Sequence, residues 1–471
     1  LTRAAGSATR DYQVQPATCV AGSLRVPGDK SISHRALMLS ALADGTSEVT
    51  GFLAGEDCLA TLHALRALGV AIEQPGTDHV LIHGVGLRGL EGASHPLDMG
   101  NAGTAMRLMT GLLAAQRFAS RLVGDASLMK RPMERVAGPL RQMGADVRTH
   151  DGRPPVDIGG GRTLHGIDYA MPVASAQVKS AILFAGLYAE GPTTVTAPAM
   201  SRDHSERMLV SCGVKVTSDP LRTTVHPPQR LASQRLDVPG DFSSAAFFIV
   251  AGLLAAAADG LLIRNVGMNP TRTGLLEILR AMGGTIEVLE LRQSGAEPVA
   301  DLLVRRSPLV GIDVPASLVP LAIDEFPVLF VAAACAAGET LITGAEELRV
   351  KESDRIAAMS AGFTALGVTH EALPDGMRIA GRSDGYAFGG GDIDSHGDHR
   401  VAMAFVMASL RAARPLCVRD VANVATSFPG FVRLARSAGL DVTEMPGADA
   451  SGAGAPGAGA PAAGPPAGRS P

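Results

Sequence analysis

The chain repeats itself six times, and this periodicity limits the possible architectures more than any single motif does. Each copy opens with a short apolar run, meets a small polar cluster and continues into an apolar helical stretch. The clusters are Asp29-Lys30-Ser31, Asn101-Ala102-Gly103-Thr104, Ser175-Ala176-Gln177, Asp241-Phe242-Ser243, Asp324-Glu325 and Asp398-His399-Arg400. From Ser31 through Gly103, Ser175, Ser243 and Asp324 to Asp398 the steps are 72, 72, 68, 81 and 74 residues. A second marker runs in phase: Leu68-Gly69-Val70, Met143-Gly144-Ala145, Cys212-Gly213-Val214, Met282-Gly283-Gly284, Leu366-Gly367-Val368 and Ala438-Gly439-Leu440. Gly directly after a helix is the favoured left-handed cap, so the second marker predicts six helix ends.

Each copy reads as strand, polar turn, helix, strand, helix and strand. In the first copy, residues 23–26 alternate as a strand and 32–43 form a helix that Gly45 ends. Residues 48–52 are extended, and 57–68 place Leu59, Leu62, Leu65 and Leu68 at helical spacing. Six units of this size divide into two groups of three. The segment Leu236-Asp237-Val238-Pro239-Gly240-Asp241 echoes Leu24-Arg25-Val26-Pro27-Gly28-Asp29, which predicts that the chain crosses between domains at both places. The expected fold class is α/β, with one domain at about 30–238 and a second at about 239–446. Residues 1–29 join the second domain. Residues 447–471 are almost all Gly, Ala, Pro and Ser, with nothing large to bury, so a disordered tail is expected.

A chain of 471 residues is too long for one core. Its net charge of -4 gives no basic field, which argues against nucleic acid as a partner. The longest apolar run, 245–258, is short of the ~20 residues that span a bilayer and predicts a buried helix, with no membrane role. Five scattered cysteines without CxxC spacing suggest buried thiols in a reducing, cytoplasmic setting. The first residues carry no apolar signal core. A monomer is expected.

Every polar cluster falls where a strand meets a helix. Ser, Asp and Asn there are ordinary N-caps, but six helix starts aimed into one cleft would also make an anion site. Basic residues gather at the same places: Lys30, Arg35, Arg107, Lys351, Arg355 and Arg400 in or beside the clusters, and Arg131 and Arg202 in loops. Such a distribution implies an anionic substrate with more than one phosphate or carboxylate. Acid–base candidates are Lys30, Asp324, Glu325, Glu352 and His399. Asp324-Glu325 enters an apolar helix at 326–337, where at least one carboxyl should have a perturbed pKa. His396-Gly397-Asp398-His399 has no matching ligands elsewhere at metal spacing, so no metal is expected. Gly-rich nucleotide signatures and a GxSxG nucleophile are missing.

Together these stretches resemble the 3-phosphoshikimate 1-carboxyvinyltransferase (5-enolpyruvylshikimate-3-phosphate synthase) family of enolpyruvyl transferases. The resemblance lies in Pro27 to Arg35, Gly100 to Arg107, Lys130-Arg131-Pro132, Arg349 to Arg355 and Asp398 to Met403, in the expected order. It implies two similar domains, each of three βαβαββ units, with helix N-termini facing an interdomain cleft. It also implies transfer of enolpyruvate from phosphoenolpyruvate to the 5-hydroxyl of shikimate 3-phosphate, without a metal or organic cofactor. By motif, Ser31, Arg35, Ser175, Gln177, Arg202 and Lys351 would hold shikimate 3-phosphate. Lys30, Gly103, Arg131, Arg355 and Arg400 would hold phosphoenolpyruvate, with Asn101 and Ala176 beside them in the binding set. Asp324 would accept the hydroxyl proton, Glu352 and Lys30 would serve the methylene carbon, and His399 would assist by hydrogen bonding. The inhibitor glyphosate would occupy the phosphoenolpyruvate subsite.

The sequence departs from the family pattern in three places. Thr426 stands where many relatives carry Lys, Ala176 where some members have Ser, and Leu108 where some have Pro. Two other readings compete. The related transferase acting on UDP-N-acetylglucosamine uses a loop Cys, but residues 124–139 contain none. A non-catalytic anion-binding protein of the same fold would be favoured by loss of Lys30, Asp324 or Glu352, and all three are present.

Overall fold

A computed structural model describes residues 9–447, so the tail expected at 447–471 lies, apart from Gly447, outside the described residues. The second unit shows the repeat in its simplest form. Its elements are Leu97–Asp98, helix Gly103–Leu113, Ser120–Val123, helix Glu134–Gln142, Val147–His150 and Arg153–Ile158. The first strand lies parallel to the second; the fourth then inserts antiparallel between the second and third. The third unit repeats this order with strands at Asp168–Ala170, Thr193–Thr196, Val216–Ser218 and Arg222–Val225. In the fifth unit the first strand shrinks to single parallel bridges, Val310 with Ala337 and Asp313 with Leu341.

The in-phase glycines end the second helix of each unit as expected. Gly69, Gly144, Gly213, Gly283, Gly367 and Gly439 all have positive φ, between 75° and 108°, a region where a Cβ is strained. Gly45 does not end a helix. The first helix, Lys30–Ala41, stops earlier, and Gly45 lies inside the strand Ala43–Thr50.

The strand expected at 23–26 is observed as Val20–Leu24, but it does not belong to the first unit. It pairs in parallel with Ala256–Gly267 of the fourth. The first unit instead takes its leading strand from Leu231–Ala232 and Arg235–Asp237, which pair with Ala43–Thr50. Two echoing segments, each just upstream of an Asp-capped helix, are thus exchanged. Their crossings touch: Gly28 faces Gly240 in an antiparallel bridge, Asp29 N donates to Pro239 O at 2.8 Å, and Asp241 N donates to Pro27 O at 2.8 Å. A Cβ on Gly28 would stand 1.8 Å from Gly51 O, so no larger residue fits. The strand Arg10–Gln15 completes the sixth unit, lying antiparallel between Leu416–Arg419 and Asp441–Pro446.

Two hydrophobic cores result. One is drawn from residues between Ile32 and Val238, the other from Tyr12 to Val26 together with Phe242 to Val442. Of the longest apolar run, 245–255 lies in the helix Phe242–Ala255, every residue of which is buried; 256–258 instead open the strand Ala256–Gly267 and rise toward the surface. Among the described residues no helix is long and apolar enough to cross a membrane. Cys58, Cys212 and Cys335 are buried as expected, but Cys19 is exposed and Cys417 half-buried.

Candidate active site

The first helix of each unit begins at its polar cluster, yet only four of the six starts are capped by a side chain. Asp29 accepts from Ile32 N, Ser175 from Val178 N, Asp241 from Ser243 N and Asp398 from Arg400 N. Helices Gly103–Leu113 and Phe326–Ala334 follow Ala102 and Glu325 and have no side-chain cap. Ordinary capping therefore does not explain Asn101 or Asp324. Asn101 is turned aside instead, donating to Asp125 Oδ2 at 2.7 Å and accepting from Arg131 Nη2 at 2.5 Å.

On the first-domain side, Arg131 and Arg107 flank Gly103. A Cβ there would lie 3.0 Å from Arg131 Nη1 and 3.3 Å from Arg107 Nη1. Arg107 is buried, donates to Gln177 Oε1 and to Pro132 O, and leaves its Nε without a partner. Burial first, then the charges of Arg135 and Arg131, push its pKa down to about 9, so it is still a cation at neutral pH. Gln177 is fixed in turn by donating to Thr104 Oγ1 at 2.9 Å. Lys30 pairs with Asp57, and its backbone N–H donates to Asp241 Oδ2 at 3.1 Å. Burial opposes the Lys30 charge, but Asp57, and beyond it Glu352, raise its pKa above the ordinary lysine value.

The second domain supplies the carboxylates. Asp324 pairs with Arg202 across the cleft and lies 3.5 Å from both Lys351 Nζ and Arg355 Nη1. Arg400 Nη1 donates to the Asp324 carbonyl at 3.0 Å. Burial alone would raise the Asp324 pKa; Arg202, Lys351, Arg400 and Arg355 outweigh it and hold the carboxyl well below the usual range. Its neighbour Glu325 moves the other way, raised by burial against the pull of Arg272 and Arg400. The junction thus contains two oppositely shifted carboxyls. Glu352 accepts from Arg355 Nη2 at 2.6 Å, and although the protein around it opposes its charge, Arg355, His399 and Arg131 keep it well below the ordinary value. Burial lowers His399 to about 4, which leaves it neutral at pH 7. Arg355 is fully buried and also donates to Asp398 Oδ2 at 2.8 Å. Glu352 thus lies within reach of the charges of Lys30 and Arg131 from the first domain and of His399 from the second.

Residues 14–434 match the family model described as EPSP synthase (3-phosphoshikimate 1-carboxyvinyltransferase). The chain belongs to the EPSP synthase family. It is 58% identical over 434 residues to a curated 3-phosphoshikimate 1-carboxyvinyltransferase of Alkalilimnicola ehrlichii, covering 92% of this chain and 96% of that one. A relative of the same name from Methylococcus capsulatus is 58% identical over 432 residues, covering 92% and 98%. The solved EPSP synthase of Acinetobacter baumannii superimposes with a TM-score of 0.85 at 50% identity, over 93% of this chain and 100% of that one. The enolpyruvyl transferase NikO of Streptomyces tendae shares the fold, with a TM-score of 0.76 at 17% identity, over 93% of this chain and 99% of that one.

Within this EPSP synthase fold some expected residues point into protein. Arg35 is buried and donates to Ser31 O, Ser180 Oγ and Ser205 Oγ, so much of its fork is already engaged. Ser175 caps its helix, Ala176 offers only backbone, and its carbonyl accepts from Ser180 Oγ. Ser31 is half-buried. Thr426 donates to Asn423 O at 2.7 Å, and its own carbonyl would be 2.5 Å from a Cβ on Gly55 of the first domain. A short side chain thus lies at an interdomain contact. Two neighbours of the site escaped the motif reading, Asp57 and Arg272. An acidic residue in the first turn of a helix looks like a dipole partner, so Asp57 gave no signal. Arg272 did give one: Arg131, Arg202 and Arg272 follow one another at steps of 71 and 70 residues, each just before the second helix of its unit.

Proposed function

We propose that this EPSP synthase family member joins phosphoenolpyruvate to the 5-hydroxyl of shikimate 3-phosphate by addition and elimination, releasing inorganic phosphate. The observation that carries this reading is the meeting, across one cleft, of Asp324 and Glu352 with Lys30, Lys351 and a ring of arginines. Asp324, ionised, takes the proton of the attacking hydroxyl as its oxygen bonds to C2 of phosphoenolpyruvate. Lys30, kept protonated by Asp57, gives a proton to the methylene carbon. Loss of phosphate then restores the enol ether as Glu352, also ionised, removes a proton from the new methyl group. His399, neutral, supports this exchange by hydrogen bonding.

The remaining residues bind. Two polyanions side by side repel, so their pairing needs many fixed cations in a site of low dielectric. Arg131, Arg355 and Arg400, with Lys30 and the backbone at Gly103 and Asn101, serve phosphoenolpyruvate. Lys351, Arg202, Gln177, Ser31 and Ser175 serve shikimate 3-phosphate, with the backbone at Ala176; Arg35 braces Ser31. Glyphosate, a small anion, fits the phosphoenolpyruvate subsite as an inhibitor. We place the enzyme in the cytoplasm as a monomer. Phosphate release from phosphoenolpyruvate, measured with and without shikimate 3-phosphate, tests the reading. Release that requires both supports it; release from phosphoenolpyruvate alone, or with UDP-N-acetylglucosamine instead, overturns it.

A further inference from the structure

The guanidinium of Arg272 is 4% exposed and sits in the turn between strand Ala256–Gly267 and helix Gly274–Ala281. It donates to Asp29 Oδ2 at 3.1 Å and to Ser243 Oγ at 2.5 Å. Asp241 Oδ1 lies 3.5 Å away and Glu325 Oε1 3.8 Å away. These three carboxylates stand at the starts of three different helices, Lys30–Ala41, Phe242–Ala255 and Phe326–Ala334. Three acids gathered in a buried site repel one another unless a permanent cation holds them, and a guanidinium does not lose its proton.

Each of these acids leads on to the site. Asp29 and Asp241 are the two crossing residues, and between them they fix Lys30: Asp29 precedes it and Asp241 Oδ2 accepts its N–H. Glu325 is shared with Arg400, whose Nη1 is 3.5 Å from the same Oε1 that faces Arg272. Ser243 completes the cluster by donating to Glu325. The same turn also grips the first domain. Asn269 Nδ2 donates to Asp203 Oδ1 at 2.7 Å and Thr271 Oγ1 to the same oxygen at 3.4 Å, next to Arg202.

We propose that Arg272 is a positioning residue that fixes Lys30 of the first domain and Arg400 of the second in one geometry through Asp29, Asp241 and Glu325. It touches neither substrate. Unlike Arg131 and Arg202, its partners in the repeat, it is turned into the protein. The proposal rests on the assignment of Lys30 and Arg400 to the site. Arg272 shares Glu325 with Arg400; without it, Arg400 is the one guanidinium left within 4 Å of Glu325 among the described residues, and Glu325 draws it away from the bound anion.

The test compares wild type, Arg272→Lys, Arg272→Met and Arg272→Met/Glu325→Gln for kcat, for KM toward each substrate and for Tm. Arg272→Lys keeps the charge but loses the fork, so it decides the matter even if Arg272→Met does not fold. It should melt within a few degrees of wild type, lose roughly tenfold or more in kcat, and raise KM for phosphoenolpyruvate more than KM for shikimate 3-phosphate. In the double variant, loss of the Glu325 charge should return part of the phosphoenolpyruvate KM. An Arg272→Lys enzyme within twofold of wild type in all three constants overturns the proposal. So does a loss confined to Tm, or an equal rise in both KM values that Glu325→Gln does not relieve. A wild type that releases no phosphate removes the reading of the site and this proposal with it; an active wild type beside unaffected variants removes only the proposal.

Discussion

The guanidinium of Arg202, carried by the first domain, pairs with the carboxylate of Asp324, carried by the second. A basic residue proposed to bind substrate therefore also contacts the proposed base. Its charge is the foremost of those that overcome burial and keep Asp324 ionised. Arg202→Ala should raise KM for shikimate 3-phosphate by tenfold or more. It should also move the acidic limb of the kcat/KM profile to higher pH, because a base that has lost a cationic neighbour protonates earlier as the pH falls. A profile that overlays that of wild type would remove Asp324 from the role of base or Arg202 from its neighbourhood in solution.

Lys30→Met should lower turnover by about 10²–10⁴-fold, the usual weight of a positioned proton donor. The change also strands Asp57, whose side chain is buried, so Tm should fall. Adding Asp57→Asn should recover Tm without recovering turnover. If turnover returned together with Tm, Lys30 would be a structural partner of Asp57 and nothing more.

Gly103→Ala should remain active. The new methyl group meets the far ends of Arg131 and Arg107 at 3.0 and 3.3 Å, and flexible side chains can retreat by a few tenths of an ångström. We expect KM for phosphoenolpyruvate to rise about two- to tenfold, the order expected when one positioning contact is disturbed. Inhibition by glyphosate should weaken by more, since the bulkier anion has less room to shift. Paired inhibition curves against phosphoenolpyruvate decide this; a variant no less sensitive than wild type contradicts the placement of the subsite.

Buried His34 accounts for part of the pH dependence of stability. Burial lowers its pKa to about 3, and its Nδ1 is bonded to Thr61 Oγ1 at 2.8 Å. Between about pH 6.5, where an unfolded histidine titrates, and pH 3, the unfolded chain binds a proton that the folded chain does not. Stability from this residue is present above that window and is lost as the pH falls through it, by up to ~1.4 kcal/mol per pH unit. His34→Gln should flatten the slope of unfolding free energy between pH 6.5 and 4.5, measured by urea titration. An unchanged slope would show that His34 is accessible to protons in the folded state.

The local parts of the fold were legible in the sequence. The six glycines with positive φ stand where the phased marker put them, because a left-handed cap depends on a few adjacent residues. A perturbed carboxyl at 324–325 was expected from an acidic pair entering an apolar helix; that both are shifted, and in opposite directions, depends on which arginines the fold brings to each. What chain order hid was pairing. Residues 20–24 and 235–237 pair in the domains expected of them, but 20–24 read as the strand of the first unit and belong to the fourth, while 235–237 serve the first. The echo between the two segments marked both crossings, but register between distant strands depends on which faces are buried, and no short window records that. In the site, the phase of the repeat found the residues at the first-helix starts. Arg272 could be found only by following the second-helix starts as well, and the sequence does not tell whether such an arginine faces ligand or protein.

The strand exchange also sets an order of events. Gly447 N donates to Thr9 O at 2.7 Å, and Arg10–Gln15 lies beside Asp441–Pro446, so opposite ends of the described chain are neighbours in one sheet. During synthesis from the N-terminus, Arg10–Gln15 and Val20–Leu24 emerge before the strands they pair with. The first domain can close its own sheet only when residues 231–237 appear, and it must do so without trapping the two waiting strands. Val20–Leu24 finds its place when Ala256–Gly267 is made. Arg10–Gln15 is seated only after Leu416–Arg419 and Asp441–Pro446 have followed it about 400 residues later, and until then both of its hydrogen-bonding edges are open to other chains.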